Sequence, residues 1–218
     1  MNYPDKYYTI EGLIERYPQL SSCGFEIEKA CQLLVKSFKS GNKLLIAGNG
    51  GSCSDAEHIA GELMKGFRKK RHLDSELSLK ILDIDKENGR ELVEKLQKGL
   101  PVIALTNHQS LNTAFLNDVI DSGQLLFAQQ ICVYGSEGDV FLGISTSGNA
   151  ENIYKAAILA KALNMKVIAL TGADGGKIKN IADICIKVPE TETFLVQELH
   201  LPVYHYICLK IEQELYPN

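Results

Sequence analysis

Five short apolar runs, rich in β-branched residues, constrain the fold of this chain more than any other feature of its sequence. They are Lys43–Ala47, Leu100–Thr106, Val140–Ile144, Lys166–Thr171 and Ile184–Val188. Because most of them are nearly continuous rather than alternating, they are typical of strands covered on both faces. Helical patterns separate them, at Ser54–Arg71, Gly123–Tyr134, Asn149–Leu163 and Asp174–Ile181. Strands that alternate with helices predict a doubly wound α/β fold with a parallel sheet.

Further helical patterns lie before, within and after this alternation. Residues 1–42 are interpreted as N-terminal helices, over Tyr8–Tyr17 and Phe25–Lys39, and residues 43–218 as the main domain. A last helix is predicted over Thr193–Leu215, with a kink or a late start at Pro202. Residues 72–99 break the rhythm and are interpreted as a helical insertion of two amphipathic pieces around Asn88-Gly89.

Charge and composition exclude several classes of partner. The formal net charge of -4 gives no electrostatic case for nucleic acid. The basic run at 68–71 is interpreted as a solvated helix end, with a phosphate or partner contact as the alternative. No apolar run approaches the ~20 residues of a membrane span, and the first residues lack the blocks of a signal peptide. The six cysteines show no CxxC pair and have apolar neighbours, which indicates reduced, buried thiols. We therefore expect a cytoplasmic protein.

A glycine-rich loop follows the first predicted strand. It runs Gly48-Asn49-Gly50-Gly51-Ser52 and leads into a helix. Glycines let the backbone bring its N–H groups close to a ligand, and a helix N-terminus favours an anion. Neither GxxxxGK[ST] nor GxGxxG fits, since the third glycine of the latter is replaced by Cys53. A nucleotide-binding oxidoreductase is therefore disfavoured. The loop favours an anion site, with a tight turn that binds no ligand as the alternative.

A run of hydroxyl residues follows the third predicted strand. Ser145, Thr146 and Ser147 precede Gly148-Asn149, where another helix begins. One such residue suffices for a helix cap, so a run of three favours donors to phosphate oxygens. The Gly-rich loop at 171–176 is interpreted as a plain turn. Because the carboxyl ends of parallel strands share one edge of a sheet, we expect these loops to meet there, at the topological switch point.

With these residues the chain resembles the sugar isomerase (SIS) family and, within it, the phosphoheptose isomerases. The pieces that carry the resemblance include GNGGSCSDAEHIAGEL (48–63), EGDVFLGISTSGNAEN (137–152) and QELHLPVYH (197–205). The resemblance implies a three-layer, flavodoxin-like fold with five parallel strands, and a homotetramer with active sites where subunits meet. It implies a sugar-phosphate substrate, the conversion of D-sedoheptulose 7-phosphate to D-glycero-D-manno-heptose 7-phosphate, and one zinc ion per site.

The resemblance also assigns roles to individual residues. His58, Glu62, Gln197 and His205 match the zinc-binding positions, and Glu62 and His205 match the catalytic base and acid. The phosphate would be held by Ser52, Ser145, Thr146 and Ser147 with the loop residues Asn49, Gly50 and Gly51. Gln197 would bridge metal and substrate, and Asn117 and Asp118 match positions that touch sugar hydroxyls.

Residue chemistry agrees with these roles without fixing them. His58 and Glu62 lie four apart on one helix and so share a face. Mixed imidazole and carboxylate ligation suits zinc, and isomerisation through an enediol needs a base, an acid and oxyanion stabilisation. His200 is interpreted as structural, and Ala150 stands where related enzymes often have a further serine. The alternative is a non-catalytic SIS module that binds sugar phosphate as a regulator or as a replication-initiator partner, which would not need the Glu and His set.

Overall fold

A single parallel sheet organises the protein. The computed structural model describes residues 5–120 and 122–217. The five strands are β1 Leu44–Gly48, β2 Val102–Ala104, β3 Val140–Ile144, β4 Lys166–Thr171 and β5 Ile184–Lys187. All pairings are parallel, in the order β2-β1-β3-β4-β5. The five predicted strands are thus confirmed, and the order reverses between β1 and β3.

Helices cover both faces of the sheet. They are α1 Ile10–Arg16, α2 Gly24–Lys39, α3 Gly51–Leu63, α4 Ser75–Ile84, α5 Lys86–Lys95, α6 Gln109–Asp118, α7 Leu126–Tyr134, α8 Glu151–Ala162 and α9 Thr193–Leu215. Successive strand residues point to opposite faces. Leu44 and Ile46 accordingly pack into a core with α2, α3 and α9, whereas Leu45 and Ala47 pack into a second core with α7 and α8. This is the predicted three-layer α/β architecture.

Helix α3 ends earlier than the sequence pattern indicates, which corrects two expectations. The predicted helix extended to Arg71, but α3 ends at Leu63. The backbone N–H groups of residues 67–69 donate to the carboxylate of Glu212 instead of continuing a helix. Arg71, expected at a solvated helix end, is 3% exposed and pairs with Glu212 at 2.9 Å. Long-range hydrogen bonds to the Glu212 carboxylate therefore replace the local helical hydrogen bonds.

The insertion forms two helices, α4 and α5, but they separate at a different residue from the one expected. The break lies at Asp85, whose side chain accepts from the backbone N–H groups of Glu87 and Asn88. Asn88 and Gly89 are inside α5. An aspartate that caps a helix N-terminus outweighs the turn preference of Asn-Gly here. Gly89 is the single buried residue that the two helices contribute.

Other departures from the predicted pattern follow from local backbone chemistry. The helix expected at Asp174–Ile181 is reduced to one 3-10 turn, Ile178–Asn180, because Gly175 and Gly176 adopt positive φ angles of 69° and 51°. Helix α6 was not predicted. Helix α9 begins at Thr193 and runs through Pro202, so the late start is wrong.

Cysteine placement agrees in part with the expectation of reduced, buried thiols. All six cysteines are free. Cys23, Cys31 and Cys208 are buried, whereas Cys132 is exposed, so burial was overstated for that residue. Within the described ranges, no helix combines the length and the apolar character needed to cross a bilayer.

Candidate active site

Three glycines, Gly48, Gly50 and Gly51, shape the loop after β1. Gly50 has φ 55° and ψ -122°, a conformation that residues with a Cβ atom rarely adopt. A Cβ on Gly48 would lie 2.2 Å from the Ser52 carbonyl oxygen, and one on Gly51 would lie 2.5 Å from Gln197 Nε2. The loop therefore closes tightly onto the start of α3 and onto the side chain of Gln197.

The loop after β3 is held in place by the loop after β4. Gly148 has φ 66°, and a Cβ there would lie 2.2 Å from the Gly175 carbonyl oxygen. The Gly172 N–H donates to the Thr146 carbonyl at 2.8 Å. The loop after β4, predicted as a plain turn, thus supports the hydroxyl-rich loop by direct backbone contact.

The loops after β1 and β3 line one cavity of about 360 Å³, which we name the anion cradle. Its lining residues are Asn49, Gly50, Gly51, Ser52, Ile144, Ser145, Thr146, Ser147, Ala150, Thr193 and Gln197. It lies outside the carboxyl ends of β1 and β3, where the strand order reverses and where doubly wound folds bind ligands. The first residues of α3, Gly51 and Ser52, line it, and the positive end of the helix dipole favours an anion there. The structure therefore brings together the seven predicted phosphate-binding residues and Gln197.

A pair of side-chain amides joins the two halves of the cradle, and the sequence did not indicate it. Asn49 Nδ2 donates to Asn152 Oδ1, and Asn152 Nδ2 donates to Asn49 Oδ1, both at 2.9 Å. Asn152 is the last residue of the motif EGDVFLGISTSGNAEN (137–152), three residues after Asn149, and this position was the feature of the sequence that could have identified it. The reciprocal pair sets the spacing between the loop after β1 and the helix after β3.

A second group of polar side chains lies further along α3, where this helix packs against α9. We name it the histidine–carboxylate cluster: His58, Glu62 and His205. His58 Nε2 lies 3.3 Å from Glu62 Oε1, and the rings of His58 and His205 are 5.0 Å apart and nearly perpendicular. Lys65 Nζ pairs with Glu62 Oε2 at 3.0 Å. The predicted base and acid thus belong to one cluster.

Two neighbours of this cluster, Asp55 and Tyr204, were not predicted as site residues. The Tyr204 hydroxyl lies 3.1 Å from His58 Nδ1. Burial raises the pKa of Asp55, against lowering contributions from the Tyr204 hydrogen bond and from His58. Burial, followed by the charge of Asp55, raises the pKa of Tyr204. Asp55 lies one helical turn before His58 and Tyr204 directly before His205, and these positions were the signals available in the sequence.

The environment of His205 favours its neutral form. Burial is the largest cause that lowers its pKa, and His58 lowers it further, whereas the charge of Glu62 raises it. The Phe67 ring lies 5.7 Å from the imidazole at a tilt of 34°. A neutral imidazole keeps one N–H, so it can still donate a hydrogen bond or a proton.

Some predicted residues are not brought together within one chain. His205 lines a separate cavity of about 160 Å³ that also contacts Arg16 and Phe67. Asn117 and Asp118 are exposed, bond to each other at 2.9 Å and do not line the cradle. His200, interpreted as structural, is fully buried in α9.

The predicted zinc ligands fit a metal ion by chemistry and in one of their spacings. Two atoms bound to a tetrahedral zinc at ~2.0 Å are about 3.3 Å apart, which matches the 3.3 Å between His58 Nε2 and Glu62 Oε1. Across the part of the chain that the structure describes, however, no three His, Cys, Asp or Glu side chains are arranged to hold a metal. The zinc site stays a prediction.

A doubly wound sheet with two glycine- and hydroxyl-lined loops at its switch point defines the SIS class of sugar-phosphate-binding domains. In agreement, the family model described as SIS domain matches residues 19–100 and 91–172. The chain belongs to the phosphoheptose isomerase family of SIS domains. It is 39% identical over 192 residues to the phosphoheptose isomerase of Aneurinibacillus thermoaerophilus, covering 88% of this chain and 83% of that one.

Further relatives agree in sequence and in structure. Phosphoheptose isomerase 2 of Campylobacter jejuni is 40% identical over 190 residues, covering 87% of this chain and 81% of the relative. The structure of a phosphoheptose isomerase from Francisella tularensis superposes with a TM-score of 0.73 at 31% identity, covering 93% of this chain and 94% of that one. The Neisseria gonorrhoeae enzyme superposes with a TM-score of 0.68 at 31% identity, covering 90% and 91%.

Proposed function

We propose that the chain isomerises D-sedoheptulose 7-phosphate to D-glycero-D-manno-heptose 7-phosphate, for bacterial heptose biosynthesis. One observation carries the proposal: the same two helices, α3 and α9, carry both residues of the anion cradle and a cluster that contains a carboxylate and two imidazoles. The relatives named as phosphoheptose isomerases support the choice of substrate. A binding module without catalysis would need only the cradle.

The distance between cradle and cluster suits a seven-carbon sugar phosphate. An α-helix rises ~1.5 Å per residue, so His58 lies about 9 Å beyond Ser52 along α3. An extended chain advances ~1.2 Å per bond. The eight bonds from C1 to the phosphorus of a heptose 7-phosphate therefore reach about 10 Å. A phosphate in the cradle thus places C1 and C2 beside His58 and the cluster.

Phosphate binding is assigned to the cradle. The hydroxyls of Ser52, Ser145, Thr146 and Ser147 are the donors, with the backbone N–H groups of Asn49, Gly50 and Gly51 at the helix N-terminus. Donors fixed by buried strands lose little freedom when they bind, which favours the phosphate as the anchor of the substrate.

Proton transfer is assigned to the cluster. Glu62 removes a proton from C1 of the ketose while His205 donates a proton to the carbonyl oxygen at C2, which gives an enediol. The protonated Glu62 then returns its proton to C2, and His205 accepts the proton of the C1 hydroxyl, which leaves the aldehyde. Lys65, paired with Glu62, orients the ionised carboxylate before it takes the proton from C1.

We assign a zinc ion to His58, Glu62, Gln197 and His205. When bound, zinc would act as a Lewis acid toward the carbonyl and hydroxyl oxygens. The donor chemistry and the spacing of His58 and Glu62 support this assignment. Gln197 lines the cradle, which supports its proposed role as the ligand that bridges metal and substrate.

We further propose a homotetramer with active sites where subunits meet, in the cytoplasm. Exposed apolar side chains beside the site support the assembly: Met64 is 57%, Phe194 61% and Leu201 42% exposed. A neighbouring subunit would bring the exposed Asn117 and Asp118 to the sugar hydroxyls. Six free cysteines are typical of a reducing compartment.

The test compares the wild type with Glu62→Gln, which keeps the shape of the side chain and removes the base. Sedoheptulose 7-phosphate is added with zinc or with a chelator, and ¹H NMR follows the anomeric signal of the aldose. We expect turnover to fall by a factor of about 10²–10⁴, while substrate still raises the melting temperature. Unchanged turnover would refute the assignment of the base. Binding by the wild type without any turnover would favour the binding module.

A further inference from the structure

A second cavity, of about 440 Å³, lies where the basic run of the sequence meets the end of α9. Its volume is within the range of pockets that hold small organic ligands. We name it the basic cavity, because its lining includes five basic side chains: Lys69, Lys70, Arg71, His72 and Lys98. In the part of the chain that the structure describes, Asp74 is its single acidic lining residue. This surplus of positive charge favours a phosphate contact over a merely solvated basic run.

The basic cavity lies far from the anion cradle, and no described residue lines both. Helix α9 reaches from one to the other, because Thr193 at its start lines the cradle and Leu215 at its end lines the basic cavity. At ~1.5 Å per residue these two residues are about 33 Å apart. A ligand of the basic cavity is therefore a second molecule, distinct from a sugar phosphate in the cradle.

Bonds to the rest of the protein hold the walls of the basic cavity in place. The Lys98 N–H donates to the Arg71 carbonyl at 2.8 Å, which closes the base of the α4–α5 insertion. The Arg71 side chain is fully buried, pairs with Glu212 and lies over the Tyr216 ring, 4.5 Å from its centre. Lys69 Nζ donates to the Tyr216 carbonyl at 2.8 Å. Because the walls are already ordered, a ligand pays little conformational entropy to bind.

The positive charges of the basic cavity are only partly compensated. Apart from the buried Arg71 pair, Lys98 is paired with Asp74 at 3.3 Å. Lys69 donates to a neutral carbonyl group, and Lys70 is exposed. Neither of these two lysines has an acidic partner within residues 5–120 and 122–217. Two positive charges are therefore left for a ligand, which suits a molecule with more than one negative charge.

The remaining lining residues of the basic cavity are apolar or aromatic: Leu215, Tyr216 and Pro217. Inorganic phosphate would leave these side chains without a partner. A flat heterocyclic base can pack against them, since bases bind to aromatic and apolar side chains through their faces. Cationic and apolar side chains in one cavity thus match a ligand with phosphates at one end and a base at the other.

We propose that the basic cavity binds a nucleoside diphosphate or triphosphate. The phosphates contact Lys69, Lys70 and Lys98, and the base packs against Tyr216 and its neighbours. This site does not depend on the proposed isomerase reaction, because it shares no described residue with the cradle or with the histidine–carboxylate cluster.

The test is isothermal titration calorimetry of the full chain with ADP in magnesium-free buffer. We expect the wild type to bind one ADP per chain, more tightly than adenosine, which lacks the charge, and than tripolyphosphate, which lacks the base. Lys70→Glu should weaken ADP binding about 10–100-fold, because a donor to a charged group is replaced by a negative charge. Lys86→Glu is the matched control: Lys86 is exposed at the start of α5, does not line the cavity and changes the net charge equally. It should leave ADP binding unchanged.

A second variant, Lys98→Gln, covers the case in which Lys70→Glu does not fold, and it should also weaken ADP binding. A wild type that binds no ADP, or folded cavity variants that bind it as tightly as the wild type, would overturn the proposal. Tripolyphosphate that binds as tightly as ADP would overturn the assignment of a nucleotide. Displacement of ADP by sedoheptulose 7-phosphate, or weaker ADP binding by Thr146→Val, would place ADP in the cradle and overturn the second site. Because calorimetry reads binding alone, a chain without isomerase activity would leave these outcomes unaffected.

Discussion

The anion cradle and the histidine–carboxylate cluster lie on the same two helices and are built in different ways. The cradle consists of short loops continuous with β1 and β3, and its shape comes from backbone angles such as the positive φ of Gly50 and Gly148. The cluster joins side chains about 140 residues apart in sequence, and His58 has 42% of its side chain exposed. The proposed phosphate binding therefore depends on the local backbone of two loops, whereas the proposed proton transfer depends on how α3 packs against α9. Substitutions in the cradle should therefore change mainly KM, and substitutions that affect the cluster should change mainly kcat.

The largest effect on stability is expected at Glu212, which supports a residue packed against the cluster and does not line the cradle. Its fully buried carboxylate binds Arg71 and the N–H of Phe67, whose ring packs against His205. In Glu212→Gln the buried guanidinium loses its counter-charge, so the free energy of unfolding should fall by about 3–5 kcal/mol. Urea denaturation measures it, and kcat should fall more than KM rises.

The matched control for this prediction is Glu214→Gln. Glu214 pairs with Lys210 at 3.3 Å, but 45% of its side chain is exposed, so the loss should stay below about 1 kcal/mol. Equal losses in the free energy of unfolding for the two variants would contradict the idea that burial makes the Glu212 ion pair the stronger one. A rise in KM for Glu212→Gln as large as the fall in kcat would show that cradle and cluster are not separable.

His200 provides a pH-dependent test, since it is buried in α9 between Gln197 and the cluster. Burial lowers the pKa of His200 to about 4, from an ordinary value of 6.5, against a raising contribution from the Thr171 backbone. Between these values the unfolded chain binds more protons than the folded protein. Stability is therefore complete above pH 6.5 and falls as the pH drops toward 4, by about 3 kcal/mol from this residue.

Unfolding curves from pH 7 to pH 4.5 measure this contribution. His200→Leu should flatten the slope, and His72→Gln, at an exposed position, should leave it unchanged. If fluorescence of a bound sugar-phosphate analogue disappears before any unfolding, the cradle is the more acid-sensitive of the two regions, and the comparison would have to be reversed.

The same division explains what could be predicted from the sequence. The strands and the cradle follow from apolar runs, glycines and hydroxyl residues that are adjacent in the chain. The early end of α3 could not be predicted, because Glu212 competes for its N–H groups from about 140 residues away. Tyr204 could not be predicted as a site residue for the same reason, because its partner His58 lies on another helix, 146 residues away in sequence. Asn117 and Asp118 were assigned by resemblance alone, and a single chain does not bring them to the cradle.

Thr146→Val tests the cradle without touching the cluster. The change removes one hydroxyl donor to a charged phosphate, which is worth about 1.5–3 kcal/mol. KM should therefore rise by a factor of roughly 10–100 with kcat nearly constant. Thr113→Val is the control, because the exposed Thr113 hydroxyl donates to carbonyl oxygens of its own helix, α6. A fall in kcat without a change in KM would place Thr146 in the chemical step.

The smallest effect is expected from Ala150→Ser, which restores the hydroxyl that related enzymes often have. Ala150 lines the cradle and precedes α8 in an extended conformation, without a side-chain cap. A serine can cap α8, which adds about 1 kcal/mol to the free energy of unfolding, and can donate to phosphate, which should lower KM about threefold. Ala162→Ser, at the other end of α8, is the control and should do neither. If stability rises while KM stays constant, the new hydroxyl serves the helix alone, and the backbone donors of the cradle already satisfy the phosphate.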